Sequence, residues 1–191
     1  MKDLVHEKLY KLLKVRPTNS NQKRYWVQKS HTKEYDIKNY RDPRVYEIWE
    51  QLISDLKLES KLVYDYGCNN GVWSLEFLKR KAKVIGVDYI KPKRYEGKKL
   101  EICDITRHKP AKDAYLIHIT RVLQHIEYRK QDQFFKNLEN YKGYLLLVER
   151  CHNTGFNIYG RNWADTVEFF GFKVVKRVSD GLYEGILCKR K

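Results

Sequence analysis

Three carboxylates at the ends of apolar runs carry the chemistry most readable in this chain. Residues 61–71 read Lys-Leu-Val-Tyr-Asp-Tyr-Gly-Cys-Asn-Asn-Gly, a short apolar run leading into a turn bounded by two glycines. A second run, seventeen residues past Gly71, closes in Gly86-Val87-Asp88. Gly67 and Gly71 let the backbone pass close to a ligand where a Cβ would collide, and Asn69 or Asn70 enters left-handed conformations more readily than most residues. Asp65 can orient the turn or accept from a ligand ammonium, Asp88 can take two ribose hydroxyls, and Asp104, after a third run, can accept from an adenine amino group. The order of run, tight turn, helix and second run with a terminal carboxylate is the order of a βαβ unit that binds a nucleoside. The Gly-x-Gly-x-x-Gly of nicotinamide enzymes is absent, since Gly67 and Gly71 are four apart with no third glycine in register.

Further polar residues follow the fourth and fifth runs, where an open α/β sheet presents its ligands. They are Thr120, Arg121 and His125, then Glu149, Arg150 and His152. His125, Glu149 and His152 are candidate bases, needed only if a nucleophile must lose a proton; Arg121, Arg150 and the earlier Trp26 are candidate substrate contacts. His125 reads equally well as a packed, hydrogen-bonded residue, and His118, inside its run, as a structural one. Glu149 and His152 have the spacing of a metal pair, but two ligands make no site and no metal is expected. Cys68, Cys103, Cys151 and Cys188 stand too far apart for a zinc knuckle or a small disulfide scaffold, so buried free thiols are expected.

The elements that position these residues follow from periodicity. Val45, Ile48, Trp49, Leu52, Ile53 and Leu56 mark one helix face beginning at Asp42-Pro43, with proline at the first helical position. Strands are predicted over 61–66, 83–88, 99–103, 113–119 and 143–149, with helices over 72–80, 127–141 and 162–170. Residues 172–178 and 182–188 form a terminal hairpin through Ser179-Asp180-Gly181. This pattern predicts an α/β, doubly wound, mostly parallel seven-stranded sheet. The gaps from Asp88 to the third strand and from Asp104 to Asp113 are too short for full crossover helices, so loops or amino-terminal helices must cover part of one face. Ahead of this domain, at 42–191, residues 1–41 form a basic extension: a helix over 2–14, then a polar and aromatic arm.

At this point the chain resembles a family. Asp65-Tyr66-Gly67-Cys68-Asn69-Asn70-Gly71 is similar to the first motif of the class I S-adenosylmethionine-dependent methyltransferases, usually Asp-x-Gly-Cys-Gly-x-Gly. Asp88 matches the ribose-binding acid of that family and Asp104 its adenine-contacting acid. Residues 113–126 match its fourth strand and a Val-Leu-x-His-Ile segment, and Gly171-Phe172-Lys173-Val174-Val175 resembles the opening of its penultimate strand. The resemblance spans residues 45–191 and implies a Rossmann-like sheet with S-adenosylmethionine as cofactor. It assigns cofactor contacts to Asp65, Gly67, Cys68, Asn69, Asn70, Gly71, Asp88, Tyr89, Asp104, Ile105 and Ile119. Asn69 stands where the family has its middle glycine, which requires a positive φ there. Methyltransferases of the terminal ribose of small RNAs carry Glu-x-x-Glu-His where this chain has Arg121-Val122-Leu123-Gln124-His125, so their metal-dependent chemistry is not expected. Ile119-Thr120-Arg121-Val122 also departs from the Asn-Pro-Pro-Tyr and Asp-Pro-Pro-Tyr of amino-methylating nucleic-acid enzymes.

The acceptor is addressed by charge. With 39 basic and 24 acidic residues the net charge is +15, which favours polyanionic partners. Eight basic side chains and no acid lie between Lys8 and Lys33, with Tyr10, Tyr25 and Trp26 among them. Such an arm suits a phosphate backbone and unpaired bases, making RNA the favoured acceptor. Two alternatives stay open: a small-molecule or protein methyltransferase with the arm as a lid, in which Arg41 or Arg44 pairs with the methionyl carboxylate, and a non-catalytic binding module. The amino terminus lacks the apolar core of a secretory signal and no run reaches a membrane span, so a cytoplasmic location is expected.

Overall fold

The computed structural model describes residues 42–152 and 158–191. The expected helix at 2–14, the basic arm and Trp26 lie outside the described residues.

Helix α1 (Pro43–Ile53) begins where the sequence places a cap: the Asp42 side chain accepts from the Arg44 N–H, and Pro43 opens the first turn. Its apolar stripe of Val45, Ile48, Trp49, Leu52 and Ile53 is buried. Strand β1 (Leu62–Tyr66) feeds through the glycine turn into α2 (Val72–Lys79), and β2 (Lys83–Asp88) follows. Next come β3 (Lys99–Ile102), β4 (Leu116–Thr120), a 3₁₀ turn at Leu123–His125, α3 (Tyr128–Asn137) and β5 (Tyr144–Arg150). Helix α4 (Trp163–Phe169) and the hairpin of β6 (Phe172–Ser179) and β7 (Tyr183–Arg190) complete the chain.

The seven strands form one sheet in the order β3-β2-β1-β4-β5-β7-β6. Strands β1 to β5 run parallel to one another, and β7 enters antiparallel between β5 and β6. The reversal of order between β1 and β4 opens a crevice at their carboxyl ends, the place where doubly wound sheets bind ligands. One face carries α1 and α2, with Trp49, Trp73 and Phe77 packed on Leu116 and Leu146. The other carries α3 and α4, with Phe134, Phe135, Trp163 and Val167 packed on Ile117, Ile119 and Leu147.

No helix joins β2 to β3 or β3 to β4, as the short gaps require. In the first gap Tyr95 takes the place of a crossover helix, its ring lying against Gly71, Gly86 and Gly97. In the second, His108 lies between the Tyr66 hydroxyl at 2.6 Å and the Glu101 carboxylate at 3.0 Å. The fourth strand starts at Leu116 rather than 113, because Ala114 N–H closes a turn onto the Ala111 carbonyl. Helix α3 stops at Asn137, short of the expected 141, because Leu138 and Tyr141 N–H turn back to carbonyls three residues earlier.

Candidate functional site

The glycine turn is tied to β2 before any ligand is considered. Gly67 N–H donates to the Val87 carbonyl at 2.7 Å, and Gly71 N–H to the Cys68 carbonyl at 2.8 Å. Gly67, Asn69 and Gly71 take φ values of +68°, +46° and +87°, so the asparagine in place of the middle glycine adopts the left-handed conformation its position requires. At Gly67 a Cβ would also fall inside van der Waals contact of Val122, so the turn and the segment after β4 close on each other only through glycine.

Asp88, at the end of β2, completes the turn. Its Oδ2 accepts from Asn69 N–H at 2.9 Å and its Oδ1 from Ile90 N–H at 3.1 Å. Burial pushes its carboxyl up to about 6, although the N–H bonds from Ile90 and Asn69 pull it back. Beside it, burial and the charge of Asp88 raise the Tyr89 hydroxyl well above its ordinary value. Asp104 forms its own tight turn, its Oδ1 accepting from Thr106 N–H at 2.9 Å and Thr106 Oγ1 at 2.8 Å.

These groups line a cavity of about 510 Å³, within the size range of small-ligand sites. Of the sequence-predicted residues the cavity brings together Gly67, Asn69, Asp88, Tyr89, Asp104, Ile105, Arg121 and His125. Asp65, Cys68, Asn70, Gly71 and Ile119 do not line it. Ile119 lies within the sheet core, and Cys68 is buried with its thiol pushed up by burial. The Asn70 carbonyl is engaged by Glu96 N–H at 2.9 Å, Gly71 caps α2, and Asp65 points to the α1–α2 side. Glu149, Arg150 and His152 are likewise outside the lining. Glu149 is fully buried: its Oε1 accepts from Val122 and Leu123 N–H at 2.8 and 3.0 Å, and its Oε2 from Gln124 N–H at 3.1 Å. Burial lifts this carboxyl to about 7 while the three donors oppose the shift. Arg150 lies over the Tyr183 ring at 5.5 Å, and its carbonyl takes the Trp163 indole N–H. The His152 side chain is exposed and its backbone packs on Gly160.

The far wall was missed by sequence reasoning: Val122, Ile126, Glu127 and Lys130, with Ile90, Ile102, Cys103 and Thr106 on the near side. The Asp104-Ile105-Thr106 spacing is a readable turn signal for part of it. Arg121 enters the wall with φ +58°, a left-handed conformation costly for a non-glycine residue and concentrated at functional sites. Among the described residues, no three His, Cys, Asp or Glu side chains gather in a way that could hold a metal ion. No helix among them is long and apolar enough to cross a membrane.

No protein-family model and no curated protein sequence matches the chain. Solved structures do. The N-methyltransferase NodS from Bradyrhizobium japonicum WM9, in complex with S-adenosylhomocysteine, aligns at TM-score 0.70 and 14% identity, covering 88% of this chain and 97% of that one. The 1,6-didemethyltoxoflavin-N1-methyltransferase of Burkholderia thailandensis, with 1,6-didemethyltoxoflavin and S-adenosylhomocysteine bound, aligns at TM-score 0.69 and 15% identity over 87% and 85%. The magnesium protoporphyrin IX methyltransferase of Synechocystis PCC 6803, with S-adenosylmethionine bound, aligns at 0.61 and 16% over 78% and 79%. The strand order, the terminal hairpin and these alignments define the fold: it is that of the class I S-adenosylmethionine-dependent methyltransferases.

Proposed function

We propose that this protein is an S-adenosylmethionine-dependent methyltransferase whose acceptor is a small molecule. The observation that carries the reading is Asp88. A buried carboxylate, held by two N–H groups of the adjoining turns, lines a nucleoside-sized cavity at the carboxyl end of β2. That donor and acceptor set fits an adenosyl group: Asp88 would take the ribose hydroxyls, Tyr89, Ile90 and Ile105 would flank the base, and the Gly67–Asn69 backbone would pass beside the ligand. When bound, the cofactor supplies a methyl group on a sulfonium, already a good leaving group, so the protein's main task is alignment.

The small-molecule acceptor is favoured by the neighbours named for 1,6-didemethyltoxoflavin and magnesium protoporphyrin IX. An RNA acceptor rests on the basic arm between Lys8 and Lys33, outside the described residues, and none of those neighbours supports it. Tritiated S-adenosylmethionine offered with an ultrafiltered cell extract, bulk RNA and bulk protein tests the choice. Label in the small-molecule fraction is the expected result; label in RNA alone overturns the acceptor class, and absence of S-adenosylhomocysteine binding overturns the whole reading.

A further inference from the structure

Behind the glycine turn, on the α1–α2 face, four polar side chains form a continuous chain inside the core. Ser74 Oγ of α2 donates to Asp65 Oδ2 of β1 at 2.5 Å. Asp65 Oδ1 lies 2.9 Å from His118 Nδ1 of β4, and His118 Nε2 lies 2.6 Å from Thr120 Oγ1 at the strand's end. His118 is fully buried and Asp65 is 1% exposed, whereas Thr120 keeps 7%. The ring sits in an aromatic box: Trp49 of α1 at 6.3 Å, Trp73 of α2 at 5.6 Å and Phe77 of α2 at 5.1 Å. Among the described residues that these contacts name, Asp65 is the ionisable one; the aromatic residues, Thr120 and Leu146, its β5 neighbour, are neutral at ordinary pH.

The polarity of the chain follows from its partners. An ionised carboxylate only accepts, so Asp65 fixes the imidazole proton on Nδ1 and leaves the Nε2 lone pair facing Thr120. Thr120 then donates to Nε2, and its oxygen keeps lone pairs for a proton arriving from outside. Thr120 is not itself in the cavity lining; it ends β4 one residue before Arg121, which is, so the outer end of the chain lies at the β4 edge of the cavity. Arg121 also acts on Asp42, whose carboxyl is lowered by its bonds to Arg44 and by both arginine charges against the opposing effect of burial, so the start of α1 borders the same edge. A buried Asp–His pair is expensive compared with apolar side chains of similar volume, and a base poised beside a reaction is one use that offsets it.

We propose that Thr120, His118 and Asp65 form a proton relay that deprotonates the methyl acceptor, which is therefore a hydroxyl, phenol or amide-like N–H compound rather than a thiolate or free amine. This rests on the methyltransferase reading above. The acceptor's proton passes to the Thr120 oxygen as the Thr120 proton passes to His118 Nε2. The acceptor's freed electron pair forms the bond to the methyl carbon while the carbon–sulfur bond breaks toward sulfur. His118 ends as an imidazolium held by Asp65 and returns its proton by the reverse path.

The test uses the full chain with ¹⁵N-labelled histidine and S-adenosylhomocysteine. The NMR spectrum should show His118 neutral at pH 7.5, protonated on Nδ1 and bare on Nε2, and Thr120→Val should move the Nε2 resonance while leaving S-adenosylhomocysteine affinity within about twofold. In tritium transfer to the ultrafiltered extract, Thr120→Val should lose at least tenfold and lose the acid limb of the rate–pH profile that His118 imposes, with Thr120→Ser restoring both. An imidazolium or an Nε2-protonated His118 at pH 7.5 overturns the relay, as does a Thr120→Val variant with wild-type rate and profile. A protein that binds S-adenosylhomocysteine yet labels nothing in the extract overturns it too, since the relay then has no acceptor to serve. Failure of the parent reading is distinct: there S-adenosylhomocysteine does not bind, or the label enters RNA or nothing, whereas failure of the relay alone leaves the extract labelled at a rate that Thr120→Val does not change.

Discussion

Asp88 shows how a single residue can be held against the stability of its own fold. Burial raises its carboxyl from an ordinary value near 3.8 to about 6. A group raised in this way favours the folded state in acid, and that contribution is lost as pH rises through about 6, a difference of roughly 3 kcal/mol. On the proposed function, the charged form, present above that pH, is the one that would accept two ribose hydroxyls. Stability and ligand binding therefore pull in opposite directions across the same window. Affinity for S-adenosylhomocysteine should fall by up to about tenfold per pH unit below pH 6, which calorimetric titrations at pH 5.0, 6.0 and 7.5 would read directly. The place of Asp88 beside the glycine turn was legible because it ends the strand that follows that turn and its helix. That of Glu149 was not. Its position at a strand end resembled that of a base, and nothing in the local sequence shows that three N–H groups 25 to 27 residues away converge on it.

At the scale of the element, the cavity is a meeting of two turns. The first, 67–71, is set by local chemistry: left-handed residues at Gly67, Asn69 and Gly71, followed directly by α2. A Gly67→Ala change forces a positive φ on a Cβ that also meets Val122, and should destabilise the protein by about 1–3 kcal/mol in urea unfolding. The second turn, 121–125, hangs from the Glu149 carboxylate. Replacing it with glutamine presents an NH₂ to a donor N–H. Glu149→Gln should cost about 2–3 kcal/mol by the same measurement and loosen the wall formed by Val122 and Ile126. Sequence periodicity read the helix face of α1 and the positions of the strands well, since Val45, Ile48, Trp49 and Leu52 repeat as one stripe and β1, β4 and β5 are mostly apolar and buried. It read only half of the cavity. The wall from Val122 to Lys130 is brought in by long-range bonds and by Gly67, which propensity does not record.

For the molecule as a whole, the loops between β2, β3 and β4 show that a doubly wound sheet tolerates missing crossover helices when side chains fill their place. Tyr95 does so beside the turn, and its hydroxyl lies 3.1 Å from Ser74 Oγ, so this loop is joined to the Asp65–His118 chain. The resulting site has little helical framework on its β3 side, and a bound adenosyl group should contribute visibly to stability. At a ligand concentration 100 times Kd the expected gain is about 2.7 kcal/mol. For a domain of this size that corresponds to a rise in Tm of about 5–10 °C, measurable by differential scanning calorimetry with S-adenosylhomocysteine. The net charge of +15 belongs to this scale as well. It promotes attraction of anions generally.

On the proposed function, Asp88 and the glycine turn bind the adenosyl group. Isothermal titration of S-adenosylhomocysteine into the wild-type protein and Asp88→Asn at pH 7.5 tests it most directly. The predicted result is a single saturable site in the wild type and at least a tenfold loss of affinity in the variant, with Tm of the unliganded proteins within a few degrees of each other. No binding by the wild type, or equal affinity in both, would contradict the account.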